Sequence, residues 1–207
     1  MSDYQLTCTN HSRMHGCFVL FGVPPRIDAS PHIVSLAWRV RPAAPGTSVT
    51  FAWSDTLSFV WGERHLIGRR RRFRPSEEVI GDFDRDNAID IDRDDYGAPA
   101  FANLRTDGTR GALTIRQLNA RFEHMIYHGV ALGGAPLLIS RFHANVTTDF
   151  IVEPGRIFVH FGDQCTGEAI EPDNLGISQL VEFSPSRPSR SVILGPDNII
   201  RPSDRDD

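Results

Sequence analysis

The residues best suited to chemistry lie in an aspartate-rich run between Gly81 and Gly97. Its carboxylates are Asp82, Asp84, Asp86, Asp90, Asp92, Asp94 and Asp95. Clustered carboxylate oxygens are typical ligands of calcium. In the register of an EF-hand loop the run fills the first, third, fifth and ninth positions, but Arg93 stands where the bidentate glutamate belongs. The flanking residues also predict strands rather than the two helices of that motif.

The alternative interpretation of the run is a strand at the protein surface. Ile89 and Ile91 alternate with Asp90 and Asp92, and a period of two predicts that the isoleucines face the core while the carboxylates face solvent or arginine. We favour this interpretation and keep a calcium site in the run Asp82–Asp95 as the alternative. We assign no metal ligand, no cofactor-binding residue and no catalytic residue, and we expect no cofactor.

An arginine run, Arg69–Arg72 followed by Phe73 and Arg74, lies just upstream. Such a run can bind nucleic acid or another polyanion. The net charge of the chain is −4, however, and the aspartate run is close by in sequence. We therefore expect the two runs to neutralise each other within the fold or across subunits, and we expect no nucleic-acid partner.

Histidines and tryptophans supply two further candidate sites. His124 and His128 are four residues apart, but Met125 stands where the glutamate of a zinc-binding H-E-x-x-H helix would be. Trp38, Trp53 and Trp61 could stack on sugars if they are exposed, although packing in the core is the favoured interpretation. A lectin-like function would require two of them to line one open groove.

The motifs of common enzymes are absent from the sequence. It has no G-x-S-x-G nucleophile elbow, no Walker A loop and no G-x-G-x-x-G loop. The residues Gly129–Pro136 are rich in glycine without the spacing that cradles a phosphate, and a bend explains them. We expect the protein not to be an enzyme.

The elements that must position these residues are short strands separated by turns. They predict an all-β, single-domain antiparallel two-sheet β-sandwich over residues 1–207, with a frayed tail at 201–207. The predicted strands are Tyr4–Thr9, Cys17–Phe21, His32–Val40, Ser48–Trp53, Thr56–Trp61, Ala88–Arg93, Ala100–Leu104, Gly111–Leu118, Pro136–Val146, Thr148–Val152, Arg156–Gly162, Leu180–Ser184 and Ser191–Gly195.

Turn residues predict two tight hairpins, one at Ser54-Asp55 and one at Glu153-Pro154-Gly155. At most one short helix is expected. The only candidate is Gln117–His128, which lacks proline and glycine and places Leu118, Phe122 and Met125 at helical spacing.

The three cysteines, Cys8, Cys17 and Cys165, cannot all pair within one chain. Cys8 and Cys17 lie on the two arms of a first predicted hairpin, but free thiols are the favoured interpretation. A sparse, odd set of cysteines, no signal peptide and no long apolar run predict a cytoplasmic protein with no membrane partner. Non-classical export and homo-oligomerisation stay open.

Several strand sequences together resemble one known family. YQLTCTNHS, CFVLF, VSLAWRV and VTFAWSDTLSFVWGE resemble the rhizosphere-induced protein RhiA family, and AFANL, GALTI, HGVALGGAP and IFVHFGDQCTGEAI continue the match in order from about Tyr4 to near Arg201. The family's V-G-I-G-M-type stretch differs here, at His128–Gly134, where the methionine is missing. The resemblance implies a bacterial protein under quorum-sensing control that acts between bacterium and plant. The family has no established catalytic residues to carry over.

Overall fold

The computed structural model describes residues 3–22, 33–67, 70–170 and 178–203. Within these ranges the chain forms 17 β-strands in four sheets and contains no helix. The predicted all-β fold is confirmed. In the described ranges no helix is long and apolar enough to span a membrane.

Two of the three four-stranded sheets come mainly from the two ends of the chain. Sheet A, in the order β17-β16-β1-β5, contains β1 (Asp3–Asn10), β5 (Ser48–Ser54), β16 (Ser189–Leu194) and β17 (Ile200–Pro202). Sheet B, in the order β15-β14-β2-β4, contains β2 (Gly16–Gly22), β4 (Arg39–Ala43), β14 (Arg156–Gly162) and β15 (Gln179–Glu182). Pairing is antiparallel except between β1 and β16.

The other two sheets come from the middle of the chain. Sheet C, in the order β3-β12-β11-β6-β7, contains β3 (Ile33–Ser35), β6 (Leu57–Ile67), β7 (Arg70–Gly81), β11 (Tyr127–Leu132) and β12 (Ala135–Arg141). Sheet D, in the order β13-β10-β8-β9, contains β8 (Ala88–Arg93), β9 (Pro99–Arg105), β10 (Leu113–Gln117) and β13 (Val146–Phe150). Here β8 and β10 are the parallel pair.

One hydrophobic core joins all four sheets. Its buried members include Leu6 of sheet A, Phe18 of sheet B, Leu132 of sheet C and Ile91 of sheet D. Alternating residues put one face of each strand into this core, which is why the period-two pattern located most strands. The arrangement is β-sandwich-like, as predicted, but it has four sheets instead of two, and two of its strand pairs, β1–β16 and β8–β10, are parallel.

Both predicted tight hairpins are wrong. The strands that flank Ser54-Asp55, β5 and β6, lie in sheets A and C, and those that flank Glu153-Pro154-Gly155 lie in sheets D and B. At both places the chain crosses from one sheet to another instead of folding back. β5 pairs with β1, so that Trp53 lies opposite Tyr4.

Two hairpins that the sequence did not reveal build sheet C. β6 and β7 pair antiparallel along their whole length. β11 and β12 are joined at Gly133 and Gly134, whose φ angles of 56° and 74° are ones that favour glycine. The glycine-rich segment predicted as a bend is therefore a hairpin turn.

The helix predicted at Gln117–His128 does not form. Gln117 is the last residue of β10 and pairs with Val146, while Tyr127 and His128 begin β11 and pair with β6. Strand pairing at both ends leaves residues 118–126 as an irregular connection. Tertiary pairing here outweighs the local helical spacing.

Two smaller boundaries also differ. The predicted strand His32–Val40 divides into β3 and β4, which lie in sheets C and B, and His32 lies outside the described residues. The tail predicted to fray from residue 201 is ordered at first, because Arg201 and Pro202 belong to β17 and pair with β16. Residues 204–207 lie outside the described ranges.

Candidate functional site

Several carboxylates of the aspartate run make separate local contacts. An Oδ1 of Asp82 accepts the backbone N–H of Asp84 at 2.8 Å, and Oδ1 of Asp94 accepts those of Tyr96 and Ala98 at 2.9 and 2.8 Å. These contacts are Asx-type turns. Nowhere in the described part of the chain do three or more His, Cys, Asp or Glu side chains gather where a metal ion would fit.

Asp90 was predicted to face outwards and is instead buried, at 3 % exposure. Its carboxylate forms an ion pair with Arg105, whose Nη1 donates at 2.9 Å and whose Nη2 donates to the other oxygen. Nδ2 of Asn103 donates a further hydrogen bond at 2.9 Å. A buried carboxylate is tolerated only when it is paired in this way. Ile89 and Ile91 are buried, as predicted.

From Arg70 onwards the arginine run lies in β7, and the ion pairs of Arg70 are with residues outside the aspartate run. Neutralisation between the two runs across subunits stays a prediction. Arg70 donates to the carboxylates of Asp163 and Glu168, at 2.5 and 2.9 Å. Phe73 is buried in a second apolar cluster with Leu36 and Val60. The run is therefore part of the framework of sheet C; Arg69 lies outside the described residues.

The tryptophans are mainly core residues. Trp38 and Trp53 are 1 % and 4 % exposed and pack edge to face, with 5.3 Å between ring centroids. Trp61 is half-buried, and its Nε1 donates to Glu77 at 2.5 Å. A cleft of about 440 Å³ has Trp38 at its wall, but neither of the other two tryptophans lines it. The predicted core role is confirmed for Trp38 and Trp53.

His124 and His128 do not share a site. His124 is exposed on the irregular connection, whereas His128 is fully buried in β11. Burial, and to a lesser degree the charge of His143, lowers the pKa of His128 to about 3. Its ring packs edge to face on Phe150, with the centroids 5.8 Å apart. It is a neutral core histidine.

The structure places its best candidate binding surface beside the turn that ends the aspartate run. A cleft of about 470 Å³, which we call the Tyr96 cleft, lies between the β8–β9 turn and residues 121–126. This volume is in the range of small-ligand sites. Tyr96 is 96 % exposed, the highest value among the large apolar or aromatic side chains described as exposed. The lining residues are Glu63, Arg93, Tyr96, Gly97, Ala98, Pro99, Arg121, Phe122, Glu123, His124 and Ile126.

A tight turn holds Tyr96 in this position. Besides the two bonds to the Asp94 side chain, the backbone N–H of Asp94 donates to the carbonyl of Ala98 at 2.8 Å, and Gly97 takes a φ of 83°. Asp94 therefore shapes the turn and presents Tyr96.

The opposite wall of the cleft is built by Phe122. Its ring stacks edge to face on Phe142 at 4.9 Å, and the guanidinium of Arg93 lies over its face at 6.0 Å from the centroid. The connection is anchored at both ends, where Leu118 N–H donates to Ile91 and Phe142 N–H donates to the carbonyl of Ile126. Phe122 is thus positioned although it lies outside any strand.

A second cleft, of about 560 Å³, lies on the other side of the same connection. Arg141, Phe142 and His143 line it together with residues 120–126. Both clefts therefore depend on one nine-residue connection between β10 and β11.

The chemistry of the Tyr96 cleft suits a polar ligand that has an apolar face. Tyr96 and Phe122 offer aromatic surface, while Arg93, Arg121 and Glu63 offer hydrogen-bond donors and acceptors. Tyr96 and Phe122 were not predicted from the sequence as site residues. Tyr96 was not considered, and Phe122 was assigned to a helix. The signal for Tyr96 was an aromatic residue inside an Asp-Asp-x-Gly turn.

Comparison with known proteins gives one match. Neither the curated proteins nor the solved structures contain a match to this chain. The family model RhiA matches residues 1–201, which is nearly the whole chain and agrees with the range of the resemblance in the strand sequences. The chain belongs to the RhiA family.

Proposed function

We propose that this chain is a non-enzymatic bacterial protein made under quorum-sensing control and used in the interaction of a bacterium with a plant. The observation that carries the proposal is the RhiA family match over residues 1–201, since that family is associated with this regulation and setting. The Tyr96 cleft is the surface by which we propose that it acts.

The state of its reactive groups supports a non-enzymatic role. Asp90 is saturated by Arg105 and Asn103, and His128 is buried and neutral. Burial also raises the pKa of the Cys8 thiol, which keeps it protonated. General acids, bases and nucleophiles need access to substrate and a suitable pKa, and these three groups lack one or both.

Transcript measurement tests the regulation. In the source bacterium, the transcript should rise with cell density and should fall to a basal level when the autoinducer synthase is deleted; added autoinducer should restore it. A transcript that is independent of autoinducer would overturn the regulatory part of the proposal. A deletion strain that competes equally with its parent on plant roots would overturn the part that concerns the plant.

A second candidate function is carbohydrate binding, and the exposure of Tyr96 beside Phe122 is the observation that favours it. Trp38 and Trp53 are buried and cannot stack on a sugar, so we propose that Tyr96 and Phe122 of the Tyr96 cleft do so instead. Because Asp82, Asp90 and Asp94 make separate local contacts, we propose that binding needs no calcium.

A glycan array tests this second function with the wild-type protein and the Tyr96→Ala variant. The expected result is binding that survives EDTA and is lost in the variant. Recovered glycans of unchanged mass after long incubation would agree with a non-enzymatic role, whereas cleaved glycans would contradict it. If no glycan binds with or without EDTA, the carbohydrate proposal fails while the regulatory proposal is unaffected.

A further inference from the structure

Two of the three cysteines approach each other across sheet B. The less favoured alternative, in which Cys8 and Cys17 face each other across a hairpin, does not form, because Cys8 lies in sheet A and Cys17 lies in β2 of sheet B. All three thiols are free in the structure. The pair that the fold brings together is Cys17 and Cys165.

Strand register brings the segment that carries Cys165 close to Cys17. Cys17 lies opposite Gly162, the last residue of β14, so Cys165 follows only three residues later. Cys17 packs with Val19, Phe21 and Val40 on the face turned away from the main core. Ile170, at the end of the loop that carries Cys165, is buried in the same cluster as Val19 and Phe21, so the loop crosses this face.

The loop that carries Cys165 is tied down after this point. Backbone bonds join Ala37 to Gly167 and Glu168 in both directions, at 2.9 and 2.8 Å, and Gly167 accepts the N–H of Phe73 at 2.8 Å. The carboxylate of Glu168 also accepts the N–H of Cys165 at 2.9 Å. Residues 163–170, which we call the staple loop, thus connect sheet B with β7 of sheet C.

We propose that Cys17 and Cys165 form a reversible disulfide that locks the staple loop onto sheet B. Cys17 and Cys165 are half-buried rather than fully buried. Cys8, in contrast, is fully buried between β5 and β16. A disulfide of this kind in a reducing compartment is typically transient and redox-sensing.

The reaction proposed is thiol–disulfide exchange with glutathione disulfide. One cysteine thiolate attacks the glutathione disulfide, whose S–S bond breaks to release one glutathione and leave a mixed disulfide. The second cysteine then attacks the mixed disulfide at the protein sulfur, forms the Cys17–Cys165 S–S bond and releases the second glutathione. Two electrons pass from the protein dithiol to glutathione disulfide, and the two thiol protons end on the two glutathione molecules.

Partial burial, and after it the neighbouring Cys165 and Asp163, raise the pKa of Cys17. The exchange can begin at either cysteine, because the other one can then attack the mixed disulfide.

Thiol counting and peptide mapping of the full-length protein test the proposal. After incubation with glutathione disulfide, wild-type protein should lose two of its three free thiols. It should form no disulfide between two chains. Peptide mapping should find Cys17 linked to Cys165, and dithiothreitol should remove the link. The oxidised form should melt roughly 5 to 15 °C higher, because the crosslink closes a very long loop.

Three variants sharpen the test. Cys8→Ser should form the same linked peptide and serves as the matched control. Cys17→Ser should accumulate one glutathione adduct at Cys165, and Cys165→Ser should form no link. Retention of three free thiols in oxidised wild type, or a crosslink only between two chains, would overturn the proposal without bearing on the Tyr96 cleft.

Discussion

His128 makes the stability of the protein depend on pH. The folded protein holds this histidine neutral, with a pKa of about 3, because its ring is buried. In the unfolded chain an ordinary histidine titrates near 6.5. Between these two values the unfolded chain binds a proton that the folded chain excludes, so stability is complete above pH 6.5 and falls as the pH falls towards 3.

The size of the effect follows from the two pKa values. One pKa unit corresponds to about 1.4 kcal/mol, so the free energy of unfolding should fall by about 2 kcal/mol between pH 7 and pH 5. The full loss, reached near pH 3, is about 5 kcal/mol. A loss of this size is a large fraction of the stability of an ordinary domain.

Urea unfolding at pH 7, 6 and 5 measures the effect. The His128→Leu variant should lose most of the difference between pH 7 and pH 5, because it has no proton to bind at this position. His124→Leu is the matched control, since His124 is exposed, and it should keep the wild-type dependence. Equal stability of the wild type at pH 7 and pH 5, or an unchanged dependence in His128→Leu, would refute the reasoning.

Three further predictions concern the framework and the aspartate run. Asp90→Asn should lower the free energy of unfolding by about 2 to 4 kcal/mol, since it breaks the ion pair of a buried carboxylate. Asp86 is exposed, so Asp86→Asn should change the free energy of unfolding by less than about 0.5 kcal/mol. Urea titration measures both variants, and equal effects would contradict the burial argument. Gly133→Ala should cost about 1 to 2 kcal/mol in the same assay, because its φ is positive and the new Cβ would meet Trp53 at 3.1 Å; an unchanged midpoint would be inconsistent with this turn. Millimolar calcium or EDTA should shift the melting temperature by less than about 1 °C, and a clear rise with calcium would restore the calcium alternative.

Strand positions were predictable where burial alternates along the chain. Tyr4–Thr9 lies within β1, whose burial alternates. Ala88–Arg93 also coincides with β8, although its first four residues are all buried. The alternation reports which face of a strand is buried, but it does not report the partner. Trp53, for example, pairs with Tyr4, which is far away in sequence. At both predicted hairpins the strands themselves were found, but each was assigned the wrong neighbour.

The binding surface was harder to predict because it depends on contacts between distant segments. Asp90 is buried only because Arg105 and Asn103 reach it, and a period of two cannot show that pairing. Phe122 became part of a cleft because strand pairing at both ends replaced the expected helix. Local patterns locate strands and turns, whereas a cleft between connections is a tertiary property.

The measurement that tests the central claim most directly is root colonisation by a strain that carries Tyr96→Ala in the chromosomal gene. Since Tyr96 is almost fully exposed, the variant should accumulate to the wild-type level. Ile151→Ala, at another exposed apolar position, is the matched control. The account predicts that the Tyr96→Ala strain competes on roots as poorly as the deletion strain, while the Ile151→Ala strain competes like its parent. Wild-type colonisation by the Tyr96→Ala strain would contradict the claim that this protein acts through the Tyr96 cleft.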